Sequence, residues 1–144
     1  MTVTFFGHRN TPAEIYGELL ETVIDLVENH GANIFFVGDS RGFDCMVRRI
    51  LKMLSREYPD IHYSVVLAYM PSEEQDDYED YSDTVFPEIL DGVHKKYAIE
   101  KRNRWMVDIS DTVVCYVKNS YGGAYKFSSL AKRKGKNIIN LYKA

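Results

Sequence analysis

The sequence predicts a Rossmann-like three-layer α/β/α sandwich built on a mainly parallel sheet. Short apolar segments of strand length alternate with longer segments of helical periodicity along the whole chain. The run Thr112 to Val117 (TVVCYV) is apolar almost without interruption and rich in β-branched residues, which suits a strand covered on both faces. Glycine-bearing loops follow the first strand, the second strand and this run. They therefore sit at carboxyl ends of strands, where open parallel sheets bind ligands.

Val3 to Phe6 form the first strand, which ends at Gly7-His8-Arg9. A helix follows, with Thr11 as N-cap, Pro12 at its first position and Glu14 completing a capping box. Ile15, Leu19, Leu20, Val23, Ile24 and Val27 recur at helical spacing and should face the sheet, and Gly31 ends the helix in the left-handed conformation. Asn33 to Val37 form the second strand. The loop Gly38-Asp39-Ser40-Arg41-Gly42-Phe43-Asp44 follows, with Asp44 placed to cap the next helix. That helix runs to about Tyr58 and buries Val47, Ile50, Leu51 and Leu54.

Tyr63 to Tyr69 form the third strand, ended by Met70-Pro71. Ser72 to Thr84 is the most acidic stretch and reads as a solvated loop or helix start, with Tyr78 and Tyr81 within it. Val85-Phe86 suggest a short fourth strand, and Gly92 to Lys96 a connection. Then come a helix carrying Arg102, Asn103, Trp105 and Met106, the buried strand, and the turn Tyr121-Gly122-Gly123. Tyr125 to Lys134 form the last helix and Asn137 to Tyr142 the last strand.

The chain has 144 residues, consistent with one domain over 1–144. A formal net charge of −3 argues against a general nucleic-acid binder. No apolar run approaches the roughly 18 residues of a membrane span, and the N-terminus does not read as a signal peptide. Cys45 and Cys115 lack metal or redox spacing and read as two reduced core thiols of a cytoplasmic protein. No metal cluster, cofactor fingerprint or phosphate-binding P-loop pattern occurs, so no cofactor is expected.

One edge of the predicted sheet collects Gly7, His8, Arg9, Gly38, Asp39, Ser40, Arg41, Gly122, Gly123 and Lys126. Arg102 and Asn103, on the helix before the buried strand, could point the same way. Three arginines and three glycine turns make a phosphate cradle, because backbone N–H groups approach an anion closely at glycine and a helix N-terminus favours negative charge. The competing reading is that each arginine pairs with a local carboxylate such as Asp39 or Asp44. His8 could act as a base, bind a phosphate or hold its turn, and Asp39 and Asp44 could bind ribose hydroxyls.

The ordered set GHR, GDSRGFD, KRNRWM, SDTVVCYV and YGGAYK resembles the SLOG superfamily (Smf/DprA and LOG proteins), and within it the small YpsA-like bacterial proteins. The resemblance implies a Rossmannoid domain that binds a nucleotide or nucleotide-derived ligand at the strand-end edge, as a sensor or accessory module, and implies a homodimer. LOG enzymes cleave nucleoside 5′-monophosphates at the N-glycosidic bond, using an Arg-Lys followed by Met and a PGGxGTxxE turn. Arg102, Met106, Gly122 and Gly123 match that pattern, with Asn103 in place of the lysine. Tyr121 replaces the proline, Tyr125 the third glycine, Lys126 the threonine and Ser129 the catalytic glutamate. Ser129 cannot stabilise the positive charge that develops on the sugar. Asp39, Asp44 or Glu100 would have to substitute. The remaining alternatives are a nucleoside deoxyribosyltransferase relative and a scaffold with a vestigial pocket. The DprA branch binds single-stranded DNA, which the acidic balance of this chain disfavours.

Overall fold

A computed structural model describes residues 1–69 and 83–144. The acidic stretch with Tyr78 and Tyr81, and Met70-Pro71, lie outside the described residues, apart from Asp83 and Thr84. The elements are β1 (Thr2–Gly7), α1 (Tyr16–His30), β2 (Ile34–Gly38), α2 (Phe43–Glu57), β3 (His62–Val66), β4 (Thr84–Val85), α3 (Lys95–Ile109), β5 (Thr112–Tyr116), α4 (Gly123–Arg133) and β6 (Asn137–Asn140). Short 3-10 turns, Ala13–Ile15 and Glu88–Leu90, precede α1 and α3.

The strands pair in the order β4-β3-β2-β1-β5-β6, and every pair is parallel. The chain winds outward from β1 to β4, then crosses back and continues from β5 on the other side of β1. The loops after β1 and β5 therefore diverge, and the crevice between them is the topological switch point of the sheet.

Alternation along the strands divides the core. Val3, Phe5, Phe35, Val37, Val114 and Tyr116 pack with α1 and α2, whereas Phe6, Val66, Val113 and Cys115 pack with α3 and α4. Every residue of β5 is buried, because helices cover both faces. Phe5 stacks on Phe35 at 6.2 Å, and Phe6 on Phe127 at 5.7 Å across the sheet-to-helix seam. Trp105 is a core residue that meets Phe36 edge-on at 5.4 Å. The apolar stripes of α1 and α2 face the sheet as their spacing predicts, with Leu26 an additional buried position. Gly31 has φ +72° and caps α1 through its N–H to the Leu26 carbonyl.

Several local expectations are corrected. Thr11 does not cap a helix: its hydroxyl donates to the His8 carbonyl at 2.6 Å, and the chain makes a 3-10 turn behind Pro12 before α1 begins. Asp44 does not cap α2 either. Gly42 is the N-cap, and Asp44 sits inside the first turn. The helix α4 begins at Gly123, earlier than Tyr125, and α3 begins at Lys95 behind a His94 side chain that accepts the Lys96 N–H at 3.1 Å.

The two cysteines differ. Cys115 is buried in β5 and burial pushes its thiol up to about 12, while Cys45 is exposed on α2 rather than in the core. The folded protein should titrate one thiol with a water-soluble disulfide reagent and a second only in denaturant. Two fast equivalents under native conditions would contradict the burial of β5.

Candidate functional site

The site is built where β1, β2 and β5 end. Gly7 closes β1 against the start of α2: a Cβ there would lie 2.2 Å from Phe43 Cγ. The following carbonyl, that of His8, accepts the Thr11 N–H, the Thr11 hydroxyl and, at 3.2 Å, the Phe43 N–H. One peptide oxygen thus holds both the first loop and the first turn of α2. The His8 ring faces the other way. Its Nε2 accepts the Lys118 N–H at 3.0 Å and the Asn119 N–H at 3.4 Å, and burial lowers its pKa. His8 is therefore a neutral imidazole with its proton on Nδ1, clamping the loop after β5 to the loop after β1.

The second loop is fixed by charge. Arg102, 3% exposed on α3, donates through Nη1 to Asp39 at 2.6 Å and to the Val66 carbonyl at 3.4 Å, and through Nε to Asn103 Oδ1 at 3.1 Å. Its guanidinium lies over Gly38, where a Cβ would be 3.3 Å from Cζ and 2.8 Å from Asp44 Oδ2. Arg48 reaches back along α2 and donates to the carbonyls of Gly38 at 2.9 Å and Ser40 at 2.8 Å. Asp44 Oδ2 accepts the Ser40 N–H at 3.3 Å. Burial raises the Asp44 carboxyl to about 6 against the opposing pull of Arg102 and Arg48.

Two adjoining cavities of about 310 and 330 Å³ open over these groups, within the ~300–1,000 Å³ common for small-molecule sites. They share Arg9, Ser40, Ile99 and Arg102. The first adds Gly7, His8, Asp44, Asn103, Met106 and Gly123, and the second adds Asp39, Arg41, Ala68 and Tyr69. Gly123 and Ala124 bring the first turn of α4 to the first cavity, and the first intrahelical bond there runs from Lys126 N–H to the Gly122 carbonyl. The preceding N–H groups belong to the unsatisfied first turn, with the positive end of the helix dipole behind them.

The arginines divide into two kinds. Arg102 is the paired kind, held by Asp39. Arg9 and Arg41 are exposed, and neither side chain has a partner among the described residues. Of the sequence-predicted positions, Gly38 lies beneath the floor, while Gly122 and Lys126 do not line either cavity. Gly122 supplies φ +90° for the turn. Lys126 donates to Glu100 at 2.8 Å and holds that carboxyl below its usual range. The apolar lining Phe5, Phe6, Ile99 and Ala124 and the loop-bracing role of Arg48 were missed. Arg48 lies one turn beyond Asp44, and this spacing is the signal that could have found it.

Among the described residues no group of three His, Cys, Asp or Glu is placed to hold a metal, and no helix is long and apolar enough to cross a membrane. No protein-family model matches the sequence, and no curated protein matches it. Solved structures do. DNA processing protein A (DprA) from Streptococcus pneumoniae superposes with a TM-score of 0.70 at 15% identity over 99% of this chain and 50% of that one. DNA processing protein A from Helicobacter pylori, solved to show a single-stranded DNA binding mode, superposes with a TM-score of 0.64 at 15% identity over 100% of this chain and 66% of that one. The chain thus spans half to two thirds of these proteins, and the likeness shows a shared Rossmann-like fold.

Proposed function

We propose that residues 1–144 form a single SLOG-type domain of the YpsA-like kind that binds a nucleotide or nucleotide-derived ligand at the switch-point edge of its sheet. One observation carries this reading: Arg9 and Arg41, two cations without partners among the described residues, stand at adjoining cavities, the first of which is also lined by the first turn of α4. Arginine presents a planar fork suited to phosphate oxygens, and a helix N-terminus favours an anion. Arg102 supports the floor and holds Asp39, so the anion falls to Arg9 and Arg41.

Titration calorimetry with AMP, ADP-ribose, NAD and a cyclic dinucleotide tests this, with a short single-stranded oligonucleotide as a further arm because of the fold shared with DprA. At least one of the small ligands should bind. Arg9→Glu and Arg41→Glu should each weaken it by about tenfold or more, the size of a lost charge-assisted hydrogen bond, with the melting temperature unchanged. Binding of none, or full affinity in both variants, would sink the proposal.

A second reading is favoured by one observation. Asp44 lines the cavity with its carboxyl raised to about 6, the range of a general acid or base, although Ser129 at the LOG glutamate position lines neither cavity. Release of free base from nucleoside monophosphates, abolished in Asp44→Asn, would establish that activity.

A further inference from the structure

Asp44 is out of place in a cavity otherwise suited to anions. It is more than nine-tenths buried, and the protein uses only one of its oxygens, Oδ2, for the Ser40 N–H. No basic side chain among the described residues comes within ion-pairing distance of it. The neighbouring cations are committed elsewhere: Arg102 to Asp39, Asn103 and Val66, and Arg48 to two carbonyls. Oδ1 has no partner. Among the described residues no sealed side-chain nitrogen or oxygen is left without one, so Oδ1 keeps its access through the cavity that Asp44 lines.

An ionised carboxylate only accepts hydrogen bonds, so its complement must donate. Arg9 lines the same cavity and Arg41 the adjoining one, which places the anion-holding groups beside the carboxylate. In a nucleotide the donor next to the phosphate is the sugar. Resting on the nucleotide reading above, we propose that Asp44 is a specificity-determining acceptor for the vicinal hydroxyls of a ribose. The site then takes ribonucleotides, and derivatives that keep the free diol, in preference to 2′-deoxy counterparts.

The groups facing Asp44 are His8 and Arg9 from the loop after β1, Asp39 from the loop after β2, Arg48 on its own helix and Arg102 on α3, with uncharged Gly123 and Ala124 from α4. Protonation of Asp44 removes the acceptor charge, so the preference should fade at low pH. The ligand phosphate also titrates near pH 6, but equally in both sugars, so the ratio of affinities isolates the carboxyl.

The experiment is calorimetry of the unmodified protein with AMP, 2′-deoxy-AMP, inorganic phosphate and an oligo-dT. At about pH 8, AMP should bind about ten- to a hundredfold more tightly than 2′-deoxy-AMP, and the ratio should shrink towards parity by about pH 5. Asp44→Asn keeps an acceptor for Ser40 but turns a donor to the cavity, and should bring AMP down to the affinity of 2′-deoxy-AMP. Equal affinities at about pH 8 overturn this inference and leave the nucleotide reading standing. Tighter binding of oligo-dT than of AMP overturns the ribose preference. Failure of both mononucleotides to bind overturns the inference, and the nucleotide reading falls with it only if ADP-ribose, NAD and the cyclic dinucleotide also fail to bind.

Discussion

Asp44→Asn is expected to stabilise the folded protein at neutral pH by about 3 kcal/mol. The carboxyl is buried without an ion-pair partner among the described residues, and desolvation raises it from 3.8 to about 6 despite Arg102 and Arg48. The span from 3.8 to about 6 corresponds to that free energy at 1.36 kcal/mol per pH decade. The direction follows from which form the fold prefers. A raised carboxyl is accommodated better protonated, so its contribution is fully favourable below about 3.8 and is lost as pH rises through 6. Asparagine keeps the acceptor for the Ser40 N–H and carries no charge to desolvate. Urea denaturation of both proteins at about pH 7.5 and about pH 4 checks this. The variant should be more stable at the first pH and equal at the second. No gain at the higher pH would mean that the carboxylate is solvated or paired in solution. A gain in stability accompanied by loss of nucleotide binding would be the signature of a group held at a cost because a ligand needs it.

Gly42→Ala is expected to destabilise by about 3 kcal/mol or more. Gly42 has φ +69° and ψ −115°, outside the regions open to residues with a Cβ. Its added methyl would also meet the Arg9 carbonyl oxygen at 2.1 Å and the carbonyl carbon at 2.5 Å. These are backbone atoms and cannot rotate away. The only relief is to push the first loop from the second, which moves Arg9 and breaks the Phe43 N–H to His8 carbonyl bond at the start of α2. Gly31→Ala is the control. Gly31 has φ +72° but open space where a Cβ would go, so it should lose only about 1 kcal/mol. Denaturation midpoints of the two variants measure the difference. If Gly42→Ala loses no more than Gly31→Ala, the two loops are not packed as described.

The parts of the fold that depend on periodicity were legible. The unbroken TVVCYV run marks a strand covered on both faces, and β5 is buried throughout. The stripe Val47, Ile50, Leu51 and Leu54 is wholly buried because helical spacing alone decides which residues share a face. Gly31 announced the end of α1 for a purely local reason, the cost of a left-handed conformation to other residues. Thr11 and Asp44 were misread because both have strong local cap chemistry, which is spent instead on partners three and four residues back in the chain. The His8 carbonyl takes the Thr11 hydroxyl, and the Ser40 N–H takes the Asp44 carboxyl.

Residue order alone carried the alternation of strands and helices, the direction of the sheet, and the set of glycine loops that must gather at one edge. Those properties follow from short-range geometry and burial, which every residue carries with it. Which of the arginines is tied to a carboxylate was settled by long-range packing. The chain shows Arg9, Arg41 and Arg102 as three equivalent charges. Folding brings Asp39 to within 2.6 Å of Arg102, while among the described residues Arg9 and Arg41 keep no partner and Asp44 is buried beside them without an ion pair. Charge pairing depends on distances between segments far apart in sequence, and those distances exist only once the sheet has set them.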